Sequence, residues 1–140
     1  MSGTISICEI TDEVKKELEK FRFSSSPTTN AIILKIDRDS HRLVLDGKYE
    51  DCEIEEIGRE LPSQQPRFII ISYHLEHSDG RSSYPMCLIY YSPSGCSPEM
   101  QMLYAGSRNR LVEECELTKN LEIRDAEELT KETLSSNLRW

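Results

Sequence analysis

The side chains that could carry out chemistry are few in this sequence and far apart. His74 and His77 lie close together, but no cluster of cysteines or carboxylates stands beside them at the spacing of a metal site. The five cysteines are an odd number without a Cys-x-x-Cys pair, which is typical of buried thiols in a reducing cytosol. Cys96 precedes a predicted helix, where a thiol can be acidified, but no activating constellation is visible. We therefore expect no metal ion, no cofactor and no enzymatic activity.

The composition argues against several other classes of function. A net charge of −8 disfavours a nucleic-acid partner, because phosphate binding needs a basic surface. The sequence contains no Gly-x-Ser-x-Gly elbow and no glycine-rich phosphate loop. No apolar run approaches the roughly 20 residues of a membrane span, and the N-terminus lacks a signal-peptide core. The sequence predicts one soluble domain that has no membrane partner.

The remaining candidate for function is the longest predicted helix, over residues 97–115. Ser97 can cap its first amide groups, and Pro98 at the first helical position gives up an N–H that would have no partner there. Residues at the 3–4 spacing of a core-facing stripe form its inner side: Met100, Leu103, Tyr104, Ser107, Leu111 and Cys115.

The opposite side of this helix is small and partly apolar, whereas a solvated face usually carries Glu, Lys or Gln. A glycine inside a helix costs about 1 kcal/mol relative to alanine, so Gly106 favours a close approach of another backbone. We interpret this side as a recognition surface that places Met102 in a partner's cleft. The alternatives are an incidental surface methionine and a helix that is buried on both sides. The residues of this side are Met102, Ala105, Asn109 and Val112, with Gly106 beside them and Arg108 and Arg110 on the flanks.

Three further helices are predicted from hydrophobic spacing. The first follows an irregular arm of residues 1–10 and is capped by Thr11 or Asp12. Its last turn carries the basic residues Lys20 and Arg22, which are favourable at a helix C-terminus. A short acidic helix comes before the central strands, and Asp125 is expected to cap the last helix. The residues expected to pack inward from these helices are Val14, Leu18, Phe21, Ile54, Ile57, Leu61, Leu129, Leu134 and Leu138.

The strands are marked by β-branched and alternating residues. They are predicted over residues 30–37, 43–45, 67–74, 84–91 and 121–123. The strand over residues 67–74 is apolar on both faces and should be central. A polar turn, residues 78–82, is expected to project past the sheet. This order predicts an α/β (α+β) fold in which one mixed sheet has helices on both faces.

Several blocks of sequence, in this order, carry a resemblance to a known family. They are QPRFI (65–69), DGR (79–81) with SYP (83–85), MLYAGS (102–107), and ELTK (116–119) with EIR (122–124). Together they resemble the actin-depolymerising factor homology (ADF-H) domain and, within that superfamily, the glia maturation factor family. The resemblance implies a single ADF-H domain over residues 1–140, with a central mixed sheet of five to six strands between helices.

The resemblance also implies a function. Glia maturation factors are non-enzymatic regulators that bind the actin-related protein 2/3 complex, inhibit actin nucleation and promote debranching of filaments. Actin-binding members of the superfamily resemble this chain but carry lysines at the positions of Glu99 and Gln101, and losing two cations removes attraction to acidic actin. The expectation is a cytoplasmic monomer in branched actin networks with weak or no direct binding to actin. The alternative is a cofilin-like protein that binds and depolymerises actin; a cysteine-dependent enzyme is a third hypothesis.

The resemblance further implies two partner-binding sites and one modification site. The first site comprises Ser2, Lys20, Arg22, Met102, Gly106, Arg108 and Arg110. The second comprises Asp79, Gly80 and Arg81 of the projecting turn, with Glu127 and Glu128 of the predicted last helix. Phosphorylation near the N-terminus inactivates relatives in the superfamily, so Ser2 is the expected phosphorylation site.

Overall fold

Strand β4 (Arg67–Ser72) lies at the centre of the fold because its residues are apolar on both faces. The computed structural model describes residues 9–22, 28–37, 39–114, 117 and 119–138. Within strand β4, Phe68, Ile69, Ile70 and Ile71 are all 0% exposed. The predicted central position of this strand is confirmed.

The described part of the chain contains eight strands, four helices and one 3₁₀ turn. The strands are β1 (Glu9–Ile10), β2 (Asn30–Asp37), β3 (Arg42–Tyr49), β4, β5 (Leu75–Glu76), β6 (Ser82–Ser83), β7 (Met86–Tyr91) and β8 (Lys119–Ile123). The helices are α1 (Asp12–Arg22), α2 (Ile54–Arg59), α3 (Pro98–Glu114) and α4 (Lys131–Leu138), and the 3₁₀ turn covers Ala126–Glu128.

Six of these strands form one mixed sheet in the order β1-β3-β2-β4-β7-β8. The inner neighbours pair antiparallel, whereas β1 pairs with β3 and β8 pairs with β7 in parallel. Side chains alternate between the two faces, so each face has its own core. Phe68 and Leu88 pack with α1 and α3, whereas Ile69 and Ile89 pack with residues of α2, the 3₁₀ turn and α4. The predicted α/β fold, with a mixed sheet between helices, is confirmed.

Two short strand pairs lie where none was predicted. The end of the N-terminal arm is not irregular, since Glu9 and Ile10 pair with Arg42 and Leu43 of β3. The remainder of the arm, residues 1–8, lies outside the described residues. The projecting turn is the end of a small hairpin in which β5 pairs with β6. Two residues per strand are too few for a hydrophobic pattern to reveal.

The prediction that Asp125 caps the last helix is wrong. Its carboxylate accepts from the N–H of Glu127 over 2.9 Å and therefore caps the 3₁₀ turn instead. The helix α4 begins later, and Thr130 caps it by accepting from the N–H of Thr133 over 3.1 Å. Leu129 and Leu134 are buried as predicted, while the side chain of Leu138 lies outside the described part.

Candidate partner-binding surface

The helix α3 begins where its sequence predicts. The Ser97 hydroxyl accepts from the N–H of Met100 over 3.2 Å, and Pro98 is the first helical residue. The helix runs for 17 residues across the face of the sheet that also carries α1. It therefore presents several turns of surface on the side away from the sheet.

The inner stripe of α3 holds the helix in one rotation. Met100, Tyr104, Ser107 and Leu111 are buried as predicted, and Leu103 is half-buried. The Tyr104 hydroxyl accepts from the backbone N–H of Ile36 over 2.9 Å, and its ring centroid lies 5.3 Å from that of Phe68. Burial raises the pKa of Tyr104, so this phenol stays neutral in its site. Cys115, the last residue predicted for the stripe, lies outside the described residues.

The outer side of α3 exposes Met102. This side chain is 64% exposed, the largest exposure among the large hydrophobic residues of the described part. Ala105 and Asn109 are also exposed, and Gly106 is half-buried. Val112 packs against the core, so the small, open face covers the first turns of the helix rather than its whole length. The alternative in which α3 is buried on both sides is therefore excluded for those turns.

The two arginines beside this face do not form one cationic pair. With about 100° per residue, Arg108 and Arg110 leave the helix roughly 160° apart. Arg108 turns toward the sheet edge, where its guanidinium donates to Asn120 Oδ1 over 2.7 Å and to Glu122 Oε1 over 3.3 Å. Arg110 is half-buried on the other flank. The two arginines therefore lie on opposite flanks of the helix, as the helical period predicts, and in two different environments.

Lys20 and Arg22 belong to the last turn of α1, in the same layer as α3. The Lys20 side chain is 67% exposed and its ammonium lies 3.4 Å from Glu17 Oε1. Strand β2 starts shortly after α1, and its first residue pairs with Ser72. This is the opposite end of β4 from Tyr91, after which α3 starts, so Lys20 and Arg22 are offset along the strands from Met102. Ser2 lies outside the described residues.

The second predicted site starts at the hairpin formed by β5 and β6. Its turn is closed by Asp79, whose carboxylate accepts from the Arg81 guanidinium over 2.7 Å and from the Arg81 N–H over 3.1 Å. Gly80 has a φ of +89°, a conformation that favours glycine. The backbone hydrogen bond from Arg81 is the main cause that lowers the pKa of Asp79. The hydrogen bonds between Asp79 and Arg81 preorganise the turn. All three residues are exposed, so the turn is also accessible.

The hairpin strands are held together by side chains as well as by the backbone. His74 Nε2 lies 2.9 Å from the Ser82 hydroxyl, and His77 Nε2 lies 2.9 Å from the Ser83 hydroxyl. The ring of His74 also stacks on Tyr84 with centroids 5.2 Å apart. The two histidines are therefore part of the hairpin structure.

Glu127 and Glu128 lie in the 3₁₀ turn rather than in the last helix. Glu128 Oε2 accepts from the N–H groups of Arg124 and Asp125 over 3.0 and 3.1 Å, which completes a capping box. Glu127 is exposed. The hairpin leaves the sheet beyond Ser72, which pairs with Met86, whereas the 3₁₀ turn follows Ile123, which pairs with Tyr91. The two parts of the second site therefore lie at opposite ends of strand β7.

Comparison with known proteins identifies the family. The family described as cofilin/tropomyosin-type actin-binding protein matches residues 7–139. Human glia maturation factor beta is 49% identical over 138 residues, which cover 99% of this chain and 97% of that protein. The chain belongs to the glia maturation factor family. The resemblance seen in the sequence is confirmed, and family membership supports a role in regulating the actin cytoskeleton.

Solved structures agree with membership of the glia maturation factor family. The solution structure of glia maturation factor from Caenorhabditis elegans has a TM-score of 0.85 at 60% identity, covering 97% of this chain and 99% of that chain. The crystal structure of Plasmodium berghei actin depolymerization factor 2 has a TM-score of 0.79 at 25% identity, covering 98% and 100%. The chain has the ADF-H fold that both share.

Sequence reasoning missed one polar cluster in this glia maturation factor family member. Glu17 lies on the inner stripe of α1 and is only 9% exposed. Its carboxylate lies 3.2 Å from the Lys48 ammonium and lines an open cleft of about 350 Å³ between α1, the start of β2 and the end of β3. Burial raises the pKa of Glu17, but hydrogen bonds from Lys48 and Lys20 outweigh it and hold the pKa below its usual value. Its place between Val14 and Phe21 in the apolar stripe was the available signal.

Within residues 9–22, 28–37, 39–114, 117 and 119–138, no group of three or more His, Cys, Asp or Glu side chains is placed to hold a metal ion. None of the helices described is long and apolar enough to cross a membrane. Burial raises the pKa of the Cys87 thiol to about 12. The surface of α3 and the hairpin remain the leading candidate sites.

Proposed function

We propose that this protein binds the actin-related protein 2/3 complex, inhibits actin nucleation by that complex and promotes the removal of filament branches. The observation that carries the proposal is the combination of an exposed Met102 with a first helical turn that lacks lysine. Met102 projects from a helix whose inner side packs in the core. Such an exposed apolar side chain on a rigid helix is the kind of anchor that fills a partner's cleft.

The charge around this anchor favours an actin-related subunit over actin itself. Glu99 is exposed in the first turn, and the Gln101 amide nitrogen lies 3.5 Å from the carbonyl oxygen of Cys96. Neither position offers the cation that actin-binding relatives use against an acidic surface. A glutamate there adds repulsion, and like-charge juxtaposition discriminates strongly between partners. The protein accordingly binds actin weakly or not at all.

The first contact surface comprises Met102, Gly106 and the cations of the same layer. Lys20, Arg22 and Arg110 carry positive charge on α1 and α3, and they favour an acidic partner surface. Gly106 allows the partner backbone to approach the helix closely. Arg108 lies on the same helix, but its guanidinium contacts Asn120 and Glu122 of β8.

The second contact surface is the turn at Asp79, Gly80 and Arg81, with Glu127 and Glu128 as a further contact at the other end of the sheet. The ion pair inside the turn limits the loss of side-chain freedom on binding. A formed branch offers more surface than the free complex does. The turn therefore contributes more to branch removal than to inhibition of nucleation.

The protein acts as a cytoplasmic monomer without a cofactor, and Ser2 is its candidate regulatory site. A phosphate adds nearly two negative charges at neutral pH. Such a charge next to a surface that meets an acidic partner weakens binding. Ser2→Glu should therefore lower the affinity for the complex while Ser2→Ala leaves it unchanged, as measured by titration at two salt concentrations.

The function is tested by fluorescence microscopy of branched filaments together with bulk polymerisation assays. The wild-type protein should slow nucleation by the complex and shorten branch lifetime, without shortening unbranched filaments. An Asp79→Ala/Arg81→Ala variant should lose branch removal more than inhibition of nucleation, whereas Glu53→Ala/Arg59→Ala, exposed at α2 on the other layer, should lose neither. Depolymerisation of unbranched filaments, with no effect on branches, would instead support the cofilin-like alternative.

A further inference from the structure

Arg108 makes three separate contacts with the sheet edge. Its guanidinium donates to Asn120 Oδ1 and to Glu122 Oε1 on β8, and its Cζ lies 5.6 Å from the centroid of the Tyr90 ring on β7. The side chain is 23% exposed, although it starts from the flank of a surface helix. A planar guanidinium can bridge two oxygens and stack on a ring at once, which an ammonium cannot do.

The charge of Arg108 is largely satisfied within the fold. Glu122 lies 3.3 Å from Arg108 and 3.7 Å from Arg124, so one carboxylate is shared by two cations. Exposed ion pairs contribute little by themselves, but the simultaneous contacts to three side chains fix a geometry. A partner that used the charge of Arg108 would compete with these contacts.

Tyr104 and Arg108 hold α3 from two sides. They stand one helical turn apart, and Tyr104 reaches β2 through the N–H of Ile36 while Arg108 reaches β8. Strands β4 and β7 lie between β2 and β8 in the sheet. Contacts with strands on both sides of its contact line restrain the helix against rolling on the sheet. A roll would move the outward Met102 most, because this residue projects from the opposite side.

We propose that Arg108 is a positioning residue that acts with the buried stripe of α3 to fix the rotation of this helix, and with it the direction of Met102, rather than a cation that contacts the partner. This inference rests on the proposed function for its binding consequence. The rotation of α3 in the free protein does not depend on that function.

Arg108→Lys keeps the charge and removes the bridging fork. If Arg108 positions α3, this variant should bind the complex on the order of threefold to tenfold more weakly, with an unchanged salt dependence. Glu122→Gln should weaken binding in the same direction, and the double variant should be little worse than either single change because both disrupt one cluster. Arg59→Lys, an exposed arginine on α2 in the other layer, serves as the matched control and should bind like wild type.

If Arg108 contacted the partner directly, the two substitutions would have the opposite effects on binding. Arg108→Lys would then retain most of the affinity, and Glu122→Gln would tighten binding by releasing the cation from its internal partner. Either result overturns the proposal. The affinities are measured by titrating each variant into the purified actin-related complex at two salt concentrations.

A second measurement on the free protein separates this proposal from the proposed function. With the methionine methyl groups labelled with ¹³C, Arg108→Lys should shift the Met102 signal and speed amide exchange along α3, whereas Arg59→Lys should do neither. An unchanged Met102 signal contradicts the positioning role even if binding is weaker. If wild type fails to bind the complex while the Met102 signal shifts as expected, the proposed function fails and the positioning role stands.

Discussion

The hydroxyl of Tyr104 on α3 accepts a hydrogen bond from the backbone N–H of Ile36 on β2, over 2.9 Å. Pairing between β2 and β4 extends only to Leu34 and Phe68, so the N–H of Ile36 lies beyond the end of that ladder. A buried N–H without a partner is costly, and a side chain from the helix supplies the partner here. One contact thus completes the sheet and orients the helix that carries Met102.

Replacing Tyr104 with phenylalanine should therefore destabilise the fold. The ring and its packing remain, but the N–H of Ile36 loses its acceptor, and the free energy of unfolding should fall by about 1–3 kcal/mol. Urea denaturation followed by circular dichroism measures the change. The same substitution at Tyr84, which is half-buried on the hairpin, serves as the control. A stability loss equal to that of Tyr84→Phe would show that the hydrogen bond contributes nothing.

The longer helices and strands of this fold could be predicted from the sequence, because their buried residues recur at alternating spacing in strands and at 3–4 spacing in helices. The bounds of β2, the central place of β4 and the start of α3 all follow from such local patterns. Strand β3 runs past its apolar residues 43–45 through Asp46 and Lys48, where the pairing with β2, which no local pattern reveals, keeps it extended. The two-residue strands likewise depend on partners that are distant in sequence.

The candidate site was predictable in its exposed apolar part and not in its electrostatics. The outward direction of Met102 follows from the helical period alone. The contacts of Arg108 with Asn120 and Glu122 require the parallel pairing of β8 with β7, which no local pattern contains. The sequence therefore groups Arg108 with the other cations of the first site, although in the fold its guanidinium contacts β8.

Two methionines of α3 provide a matched test of the recognition surface. Met102 is exposed, whereas Met100 is 9% exposed and packs in the core. Met102→Ala should leave thermal stability nearly unchanged and weaken binding to the complex by about 1–3 kcal/mol. Met100→Ala should instead lower stability by about 2–5 kcal/mol. Calorimetry and a binding titration on both variants check this, and a large stability loss at Met102 with unchanged binding would assign it to the core.

Gly106 should show opposite effects on folding and on binding. Alanine is favoured over glycine inside a helix by up to about 1 kcal/mol, so Gly106→Ala should raise the melting temperature. If the partner backbone approaches this position, the added methyl group should weaken binding. Ala105→Gly reverses the propensity change at the exposed neighbouring position and serves as the control. Stabilisation without any loss of affinity would remove Gly106 from the contact surface.

The contacts of Glu17 with Lys48 and Lys20 make the stability of the fold decrease as the pH falls into the acid range. The pKa of Glu17 is lower in the folded protein than its usual value, so its stabilisation is complete at neutral pH and is lost as the pH falls through the folded-state pKa. Glu17→Gln should therefore be less stable than wild type at pH 7, and the difference should shrink toward pH 3. Chemical denaturation across this range measures it, with the exposed Glu13→Gln as the control. A difference that is constant with pH would indicate lost packing rather than a lost charge interaction.

Under the proposed function, this ADF-H domain keeps the apolar anchor Met102 while the first turn of α3 redirects it from actin to the actin-related complex. The most direct measurement is a side-by-side titration of labelled wild-type protein with the purified complex and with monomeric actin in one buffer. Glu99→Lys/Gln101→Lys is included as a gain-of-charge variant. We predict saturable binding to the complex, little or no binding to actin, and increased actin binding by the variant. Saturable binding of wild type to actin, with none to the complex, would contradict the account.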